Sequence, residues 1–290
     1  MEQLFDTYNM EVSAAEVAQL LADITAEAKL LQTAEVYRQC LSFVDYTTLN
    51  STDTLERGRE FAERVNQFPA KYAGVKNVAA ICVYPALVNA VRKTLDKNNG
   101  VKIAAVGAGF PASQTYIDVK IAECIMAVEH GADEIDIVLS LGRFLDEDYQ
   151  TTFDEVAQIK DAIGDAHLKV ILETGALKDL SKIRIASLMS MEAGADFIKT
   201  STGKMEPAAT PEAAIVMCTA IKDFYEKTGR KVGFKPAGGI STSAEAALYY
   251  GIVKHILGSE WLNSDLFRIG TSRLANYLLS DITGKEEKYF

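Results

Sequence analysis

Eight short apolar runs, each separated from the next by a longer stretch of helical periodicity, leave this chain few architectures. The runs are residues 43–47, 78–84, 101–106, 134–139, 168–173, 197–202, 232–237 and 255–258. Between them, apolar residues recur at helical spacing in 54–68, 114–130, 152–163, 181–193, 211–227 and 243–250, several of which open with Ser, Thr or Asp as N-caps. Strands with little polar alternation are buried on both faces, and helical crossovers make neighbouring strands parallel. Eight such units in 290 residues predict a single closed (β/α)8 barrel, the TIM-barrel form of the α/β class. An open, doubly wound sheet would carry G-x-G-x-x-G after its first strand, and that motif is missing. Residues 11–42 read as helix, with Val17, Leu20, Leu21 and Ile24 in helical register. The chain therefore divides into an N-terminal helical extension, 1–42, and a barrel, 43–290.

With 48% hydrophobic residues, a chain of this length builds its core without a disulfide or metal staple. A net charge of −10 argues against a nucleic-acid partner, which would call for a basic stripe. No apolar run approaches the ~20 residues of a membrane span. Residues 1–10 lack the basic-then-apolar layout of a signal peptide. Cys40, Cys82, Cys124 and Cys218 form no C-x-x-C pair and match no zinc spacing, so no metal is expected. Isolated thiols with apolar flanks suit a reducing compartment, and a cytoplasmic enzyme is the expectation.

Barrel active sites lie at the C-terminal ends of the strands, so charged residues within or just after strands are the first candidates. Three lysines interrupt apolar runs: Lys169, Lys199 and Lys235. A lone buried ammonium is costly. Two-residue alternation puts Phe197, Lys199 and Ser201 on one face, and Gly233, Lys235 and Ala237 on one face of the next strand. If both faces look inward, Lys199 and Lys235 converge. Burial and a neighbouring cation then both disfavour a charged amine, freeing one lysine to attack a carbonyl. The alternative is that each lysine pairs with a buried carboxylate, which Glu134, Asp136 or Glu173 could supply. Asp136, in an apolar setting, could balance the lysines or move protons; Asp45 carries the same ambiguity on the first strand.

Gly238 and Gly239 follow the seventh strand and precede a helix start, where backbone amides and the helix dipole favour an anion. Gly270, Thr271, Ser272 and Arg273 follow the eighth run and could add amides, hydroxyls and a cation. Phosphate sites recur after strands seven and eight of this barrel type. The histidines fit catalysis poorly: His130 ends a helix, His167 opens strand five at the wrong end of the barrel, and His255 opens run eight. Cys82 reads as core or pocket lining.

These segments resemble the deoxyribose-phosphate aldolase family from about Val44 to Ser272. The likeness is carried by Phe-Ile-Lys-Thr-Ser-Thr-Gly-Lys at 197–204 and Gly-Phe-Lys-Pro-Ala-Gly-Gly at 233–239, in order on the expected strands. The resemblance implies a metal-independent lyase without cofactor that works through a lysine Schiff base. Lys199 corresponds to the Schiff-base lysine, Lys235 to the lysine that perturbs it, and Asp136 to the acid of the proton relay. Gly238, Gly239 and Ser272 fall where the family holds substrate phosphate; Thr47 and Lys204 match residues near the sugar phosphate. It implies cleavage of 2-deoxy-D-ribose 5-phosphate to D-glyceraldehyde 3-phosphate and acetaldehyde, with a phosphorylated sugar as partner; the sequence itself does not give the assembly, and a homodimer or monomer is the expectation. Another Schiff-base barrel aldolase or transaldolase, or a non-catalytic sugar-phosphate-binding barrel, are the competing readings. Ser241 stands where many members carry an arginine and Arg273 where serine is common, so Arg273 is expected to supply the missing charge. Some members end in a tyrosine that reaches the site; here Tyr289 is penultimate.

Overall fold

The strands of the computed structural model, which describes residues 2–290 with side chains from residue 4 onward, run in one continuous parallel order. They are β1 (Val44–Thr47), β2 (Ala80–Val83), β3 (Lys102–Gly107), β4 (Glu134–Val138), β5 (His167–Ile171), β6 (Phe197–Lys199), β7 (Gly233–Lys235) and β8 (Ile269–Thr271). Each pairs with its sequence neighbour, and β8 returns to β1 through Val44–Ile269 and Asp45–Gly270. Parallel bridges at Phe234–Phe267 and Ala237–Gly270 join β7 to β8 and close the barrel.

Among the described residues, three α-helices precede β1: α1 (Glu2–Thr7), α2 (Ala14–Ala28) and α3 (Ala34–Ser42). The crossovers hold α4 (Leu55–Lys71), α5 (Val88–Thr94), α6 (Ile117–Glu129), α7 (Leu141–Leu145), α8 (Tyr149–Ala162), α9 (Thr174–Leu177), α10 (Leu180–Glu192), α11 (Pro211–Thr228) and α12 (Ser243–Leu257). After β8 comes α13 (Leu274–Thr283). Threonine caps start several of them, Thr54 accepting from Arg57 N–H and Thr210 from Ala213 N–H. The leading helices lie on the last ones, α2 against α11 and α12, α3 against α12 and α13.

Two segments differ from the expected pattern. The helix expected over 11–42 is broken near Gln32, because Thr33 is extended and its hydroxyl caps a new helix at Val36 N–H. The run 255–258 is not a strand. A capping box between Thr242 and Glu245 starts α12, and Ile252, Val253, Ile256 and Leu257 continue at helical spacing up to Gly258. Strand eight lies instead at Ile269–Thr271, three residues with a central glycine, too short to stand out as an apolar run.

Side chains alternate between the two faces of each strand. The outward ones join the helices in the main core. Inside the barrel, Ala80, Cys82, Ala104 and Val106 form a small apolar cluster with Leu49, on strands β2 and β3. Most of the remaining interior is charged and packs around the Phe197 ring: Asp45, Glu134, Asp136, Lys169, Lys199, Lys235 and Arg268 are all buried. Two glycines make room for them. A Cβ at Gly233 would stand 2.3 Å from the Phe197 ring, and one at Gly270 would stand 3.0 Å from Lys235 Cε.

Candidate active site

Strand register brings the charges together. Lys199 and Lys235 are register partners across β6 and β7, as Asp136 and Lys169 are across β4 and β5. Lys199 Nζ and Lys235 Nζ each donate to Asp136 Oδ2 at 2.7 Å. Lys235 Nζ also lies 2.5 Å from Asp45 Oδ2, an ion-pair approach without hydrogen-bond alignment. Lys169 donates to Asp136 Oδ1 at 3.0 Å and to Glu134 Oε2 at 2.5 Å. Below them Arg268, just ahead of β8, donates to Asp45 Oδ1 and to Glu134 Oε1, both at 2.7 Å. The pairing alternative is thus realised for all three lysines, Lys169 with Glu134 and Asp136, Lys235 with Asp136 and Asp45, and Lys199 with Asp136 alone. Glu173 serves differently, accepting from Thr202 Oγ1 at 2.5 Å.

Burial disfavours charge at every one of these groups, and the neighbours decide the outcome. Burial alone would raise the Asp136 carboxyl, but Lys169, Lys199 and Lys235 together hold it well below the usual carboxylate range. Burial would lower Lys235, yet Asp136 and Asp45 outweigh it and raise its proton affinity. Lys199 goes the other way. Burial lowers it, Asp136 only partly restores it, and the Lys235 cation pushes it further down. Of two adjacent lysines, one holds its proton more tightly than a free lysine and the other less tightly.

Above the C-terminal strand ends opens a cavity of about 690 Å³. Lys199 borders it, whereas Lys235 and Asp136 lie beneath its floor, essentially inaccessible. Thr47, Lys204, Gly238, Gly239, Ser272, Ser241 and Arg273 all line it. Thr47 Oγ1 donates to the Asp45 carbonyl at 2.7 Å, and Lys204 Nζ to the Leu49 carbonyl at 2.5 Å, tying the β6 loop to the β1 loop. Gly238 and Gly239 have φ of 83° and 79°, a left-handed pair that other residues adopt at a cost. At Gly238 a Cβ would also meet Ala208 Cβ at 2.7 Å.

The sequence profile of the DeoC/LacD family aldolases matches residues 40–249. The chain belongs to this aldolase family. Among related DeoC/LacD aldolases, the deoxyribose-phosphate aldolase of Mus musculus is 44% identical over 254 residues, covering 84% of this chain and 78% of the mouse protein. The Homo sapiens deoxyribose-phosphate aldolase is 42% identical over 254 residues, with the same shares. Among solved structures, the tetrameric deoxyribose phosphate aldolase of Aeropyrum pernix superposes with a TM-score of 0.67 at 26% identity, covering 93% of this chain and 98% of that one. As a DeoC/LacD aldolase, the chain is a carbon–carbon lyase on a TIM barrel.

Several residues of this aldolase site escaped the sequence reading. Arg268 is a charge inside Leu-Phe-Arg-Ile, but the three-residue strand that follows it carries too little apolar signal to mark that stretch as strand-flanking. Arg57 and Phe290 also line the cavity, and only tertiary folding brings them there. Tyr289 is held away from Lys199, its hydroxyl donating to the Arg64 carbonyl at 2.6 Å, while Phe290 packs edge-on to Tyr46 at 5.1 Å. His130 caps α6, His167 is exposed at the start of β5, and His255 sits in α12 beside Glu27. The interior carboxylates are engaged by cations, and among the described residues no group of three or more His, Cys, Asp or Glu is arranged to hold a metal ion.

Proposed function

We propose that this chain is a deoxyribose-phosphate aldolase, reversibly cleaving 2-deoxy-D-ribose 5-phosphate to D-glyceraldehyde 3-phosphate and acetaldehyde through a Schiff base on Lys199. The observation that carries this reading is that, of the three strand lysines, Lys199 alone borders the cavity, with its amine shifted toward the neutral form. Its amine attacks the C1 aldehyde, and the carbinolamine loses water to give an iminium. The iminium is an electron sink. Loss of the C3 hydroxyl proton then breaks C2–C3, leaving an enamine on Lys199 and releasing glyceraldehyde 3-phosphate. The scissile bond is C2–C3, because acetaldehyde keeps C1 and C2 of a five-carbon sugar. Protonation of the enamine at C2 and hydrolysis release acetaldehyde. Asp136, bonded to Nζ of both Lys199 and Lys235, moves protons at the amine and, through water, at C2 and C3.

Gly238, Gly239 and Ser272 would hold the phosphate, with Thr47 and Lys204 near the sugar. Ser241 lines the same wall without a charge, so Arg273 and Arg57 across the cavity are the cations we assign to it. In this scheme the electron sink is organic and needs no metal or cofactor. The buried free thiols of Cys40, Cys82, Cys124 and Cys218 support a reducing, cytoplasmic setting, and a monomer or homodimer is the assembly we propose. No helix among the described residues is long and apolar enough to cross a membrane.

The test is cleavage of 2-deoxy-D-ribose 5-phosphate in EDTA, followed by borohydride trapping with acetaldehyde and mass-spectrometric location of the adduct. Turnover with an adduct on Lys199, both lost in Lys199→Ala, is expected. Turnover only with ketose phosphates would point to another Schiff-base aldolase, and an adduct on a different lysine would overturn the assignment.

A further inference from the structure

The interior charges form a closed ring. Starting at Arg268, contacts run to Asp45 at 2.7 Å, from Asp45 to Lys235 at 2.5 Å and from Lys235 to Asp136 at 2.7 Å. From Asp136 they continue to Lys169 at 3.0 Å, from Lys169 to Glu134 at 2.5 Å and from Glu134 back to Arg268 at 2.7 Å. Cations and carboxylates alternate all the way round, three of each, so the ring is electrically neutral. Lys199 is attached from outside. Its single carboxylate contact is to Asp136 Oδ2, an oxygen already taken by Lys235.

We infer that Arg268 and Glu134, neither of which touches Lys199, are positioning residues that set its proton affinity by fixing the charge parity of this ring. The inference rests on the reading of Lys199 as the Schiff-base amine. With the ring balanced, a proton on Lys199 would leave one unmatched positive charge at the nearly buried boundary between the cavity and the ring. A carboxylate too many would hold that proton; a cation too many would expel it. No other interior group can compensate. From β1 comes Asp45, from β2 Cys82, whose thiol burial pushes up and so keeps neutral, and from β3 only Ala104 and Val106. Glu134 and Asp136 come from β4, Lys169 from β5, Lys235 from β7 and Arg268 from the approach to β8. In the loops above, Glu173 is engaged by Thr202, Lys204 by the Leu49 carbonyl and Glu206 by the Ala208 N–H, and Arg57 and Arg273 stand with Glu206 on the cavity wall.

The two ends of the ring should act in opposite senses. Arg268→Met leaves an excess carboxylate, so the acid limb of the pH profile for borohydride trapping at Lys199 should move to higher pH. Glu134→Gln leaves an excess cation, and the limb should move to lower pH. Each shift should be about one pH unit, the scale of a unit charge roughly 10 Å away at an effective dielectric near 20. Arg268→Lys, which keeps the charge and alters the geometry, should return the limb toward the wild-type position. Limbs that stay put, or that move in the same direction in both variants, overturn the inference. Should Arg268→Met not fold, Glu134→Gln decides alone, with an unshifted or upward limb as the refuting result. Absence of any adduct on Lys199 in the wild-type protein refutes the Schiff-base assignment itself, so the two failures are distinguishable.

Discussion

Lys199 and Lys235 stand opposite each other in register on β6 and β7 and reach the same oxygen of Asp136, each at 2.7 Å. One carboxylate oxygen between two ammonium groups cannot stabilise both fully. Lys235 holds a second carboxylate, Asp45, and keeps its proton; Lys199 has none and faces the cavity. The division of labour follows from partner count rather than from residue type.

Removing the retained cation should therefore recharge its neighbour. In Lys235→Leu, burial would still lower Lys199, but Asp136 and Asp45 would keep only Lys169 and Arg268 as partners, the repelling cation would be gone, and the proton affinity of Lys199 should rise. An opposite charge within contact distance is worth about 1–3 pK units, so turnover at neutral pH should fall roughly 10–1000-fold. The loss should shrink as the assay pH is raised. A deficit of constant size across the pH range would contradict this account.

Arg273 provides a test of substrate grip. With Ser241 uncharged, Arg273→Ala should raise KM for 2-deoxy-D-ribose 5-phosphate by roughly 10–100-fold, the scale of one lost charged hydrogen bond. KM for unphosphorylated 2-deoxyribose should hardly change. Steady-state kinetics with the two sugars side by side checks this, and equal effects on both would remove Arg273 from the phosphate site.

Gly233 sits where the Phe197 ring fills the barrel, leaving 2.3–2.5 Å between ring carbons and an added Cβ. Gly233→Ala should destabilise the fold by about 1–3 kcal/mol through overpacking. Chemical denaturation midpoints at unchanged m-value measure it. Because β7 also carries Lys235, activity should drop in parallel.

Acid should undermine the barrel from within. Asp45, Glu134 and Asp136 are all held below their ordinary values, burial being outweighed by the adjoining cations. Depressed carboxyls contribute stability that is complete above the unfolded values of about 4 and is lost as pH falls through the folded ones. Thermal midpoints should thus hold from neutrality to about pH 5 and fall steeply below pH 4. A midpoint flat to pH 2 would contradict the ring.

Much of this was legible in the chain itself. Strands β1 to β7 announced themselves because parallel strands covered on both sides are nearly all apolar, and a lysine in such a run is conspicuous. Period-two alternation aimed Lys199 and Lys235 at one space, and apolar neighbours on both sides made Asp136 conspicuous. The eighth strand was not legible: three residues around Gly270 carry too little hydrophobic signal, and the end of α12 carries more. With it went Arg268, whose place in the site depends on a strand boundary. Arg57 and Phe290 reach the cavity from positions more than two hundred residues apart, and no local pattern encodes that.

The three strands that carry Lys199, Lys235 and the Arg268 approach are only three residues long each. So little backbone pairing leaves side-chain charge to hold this sector of the wall in alignment. For anyone redesigning the enzyme, the interior is consequently a single indivisible component. Substrate scope can be sought along the rim, one position at a time, whereas a single exchange inside the wall shifts the charge balance of every group in it, and an oppositely charged pair of exchanges is what preserves that balance.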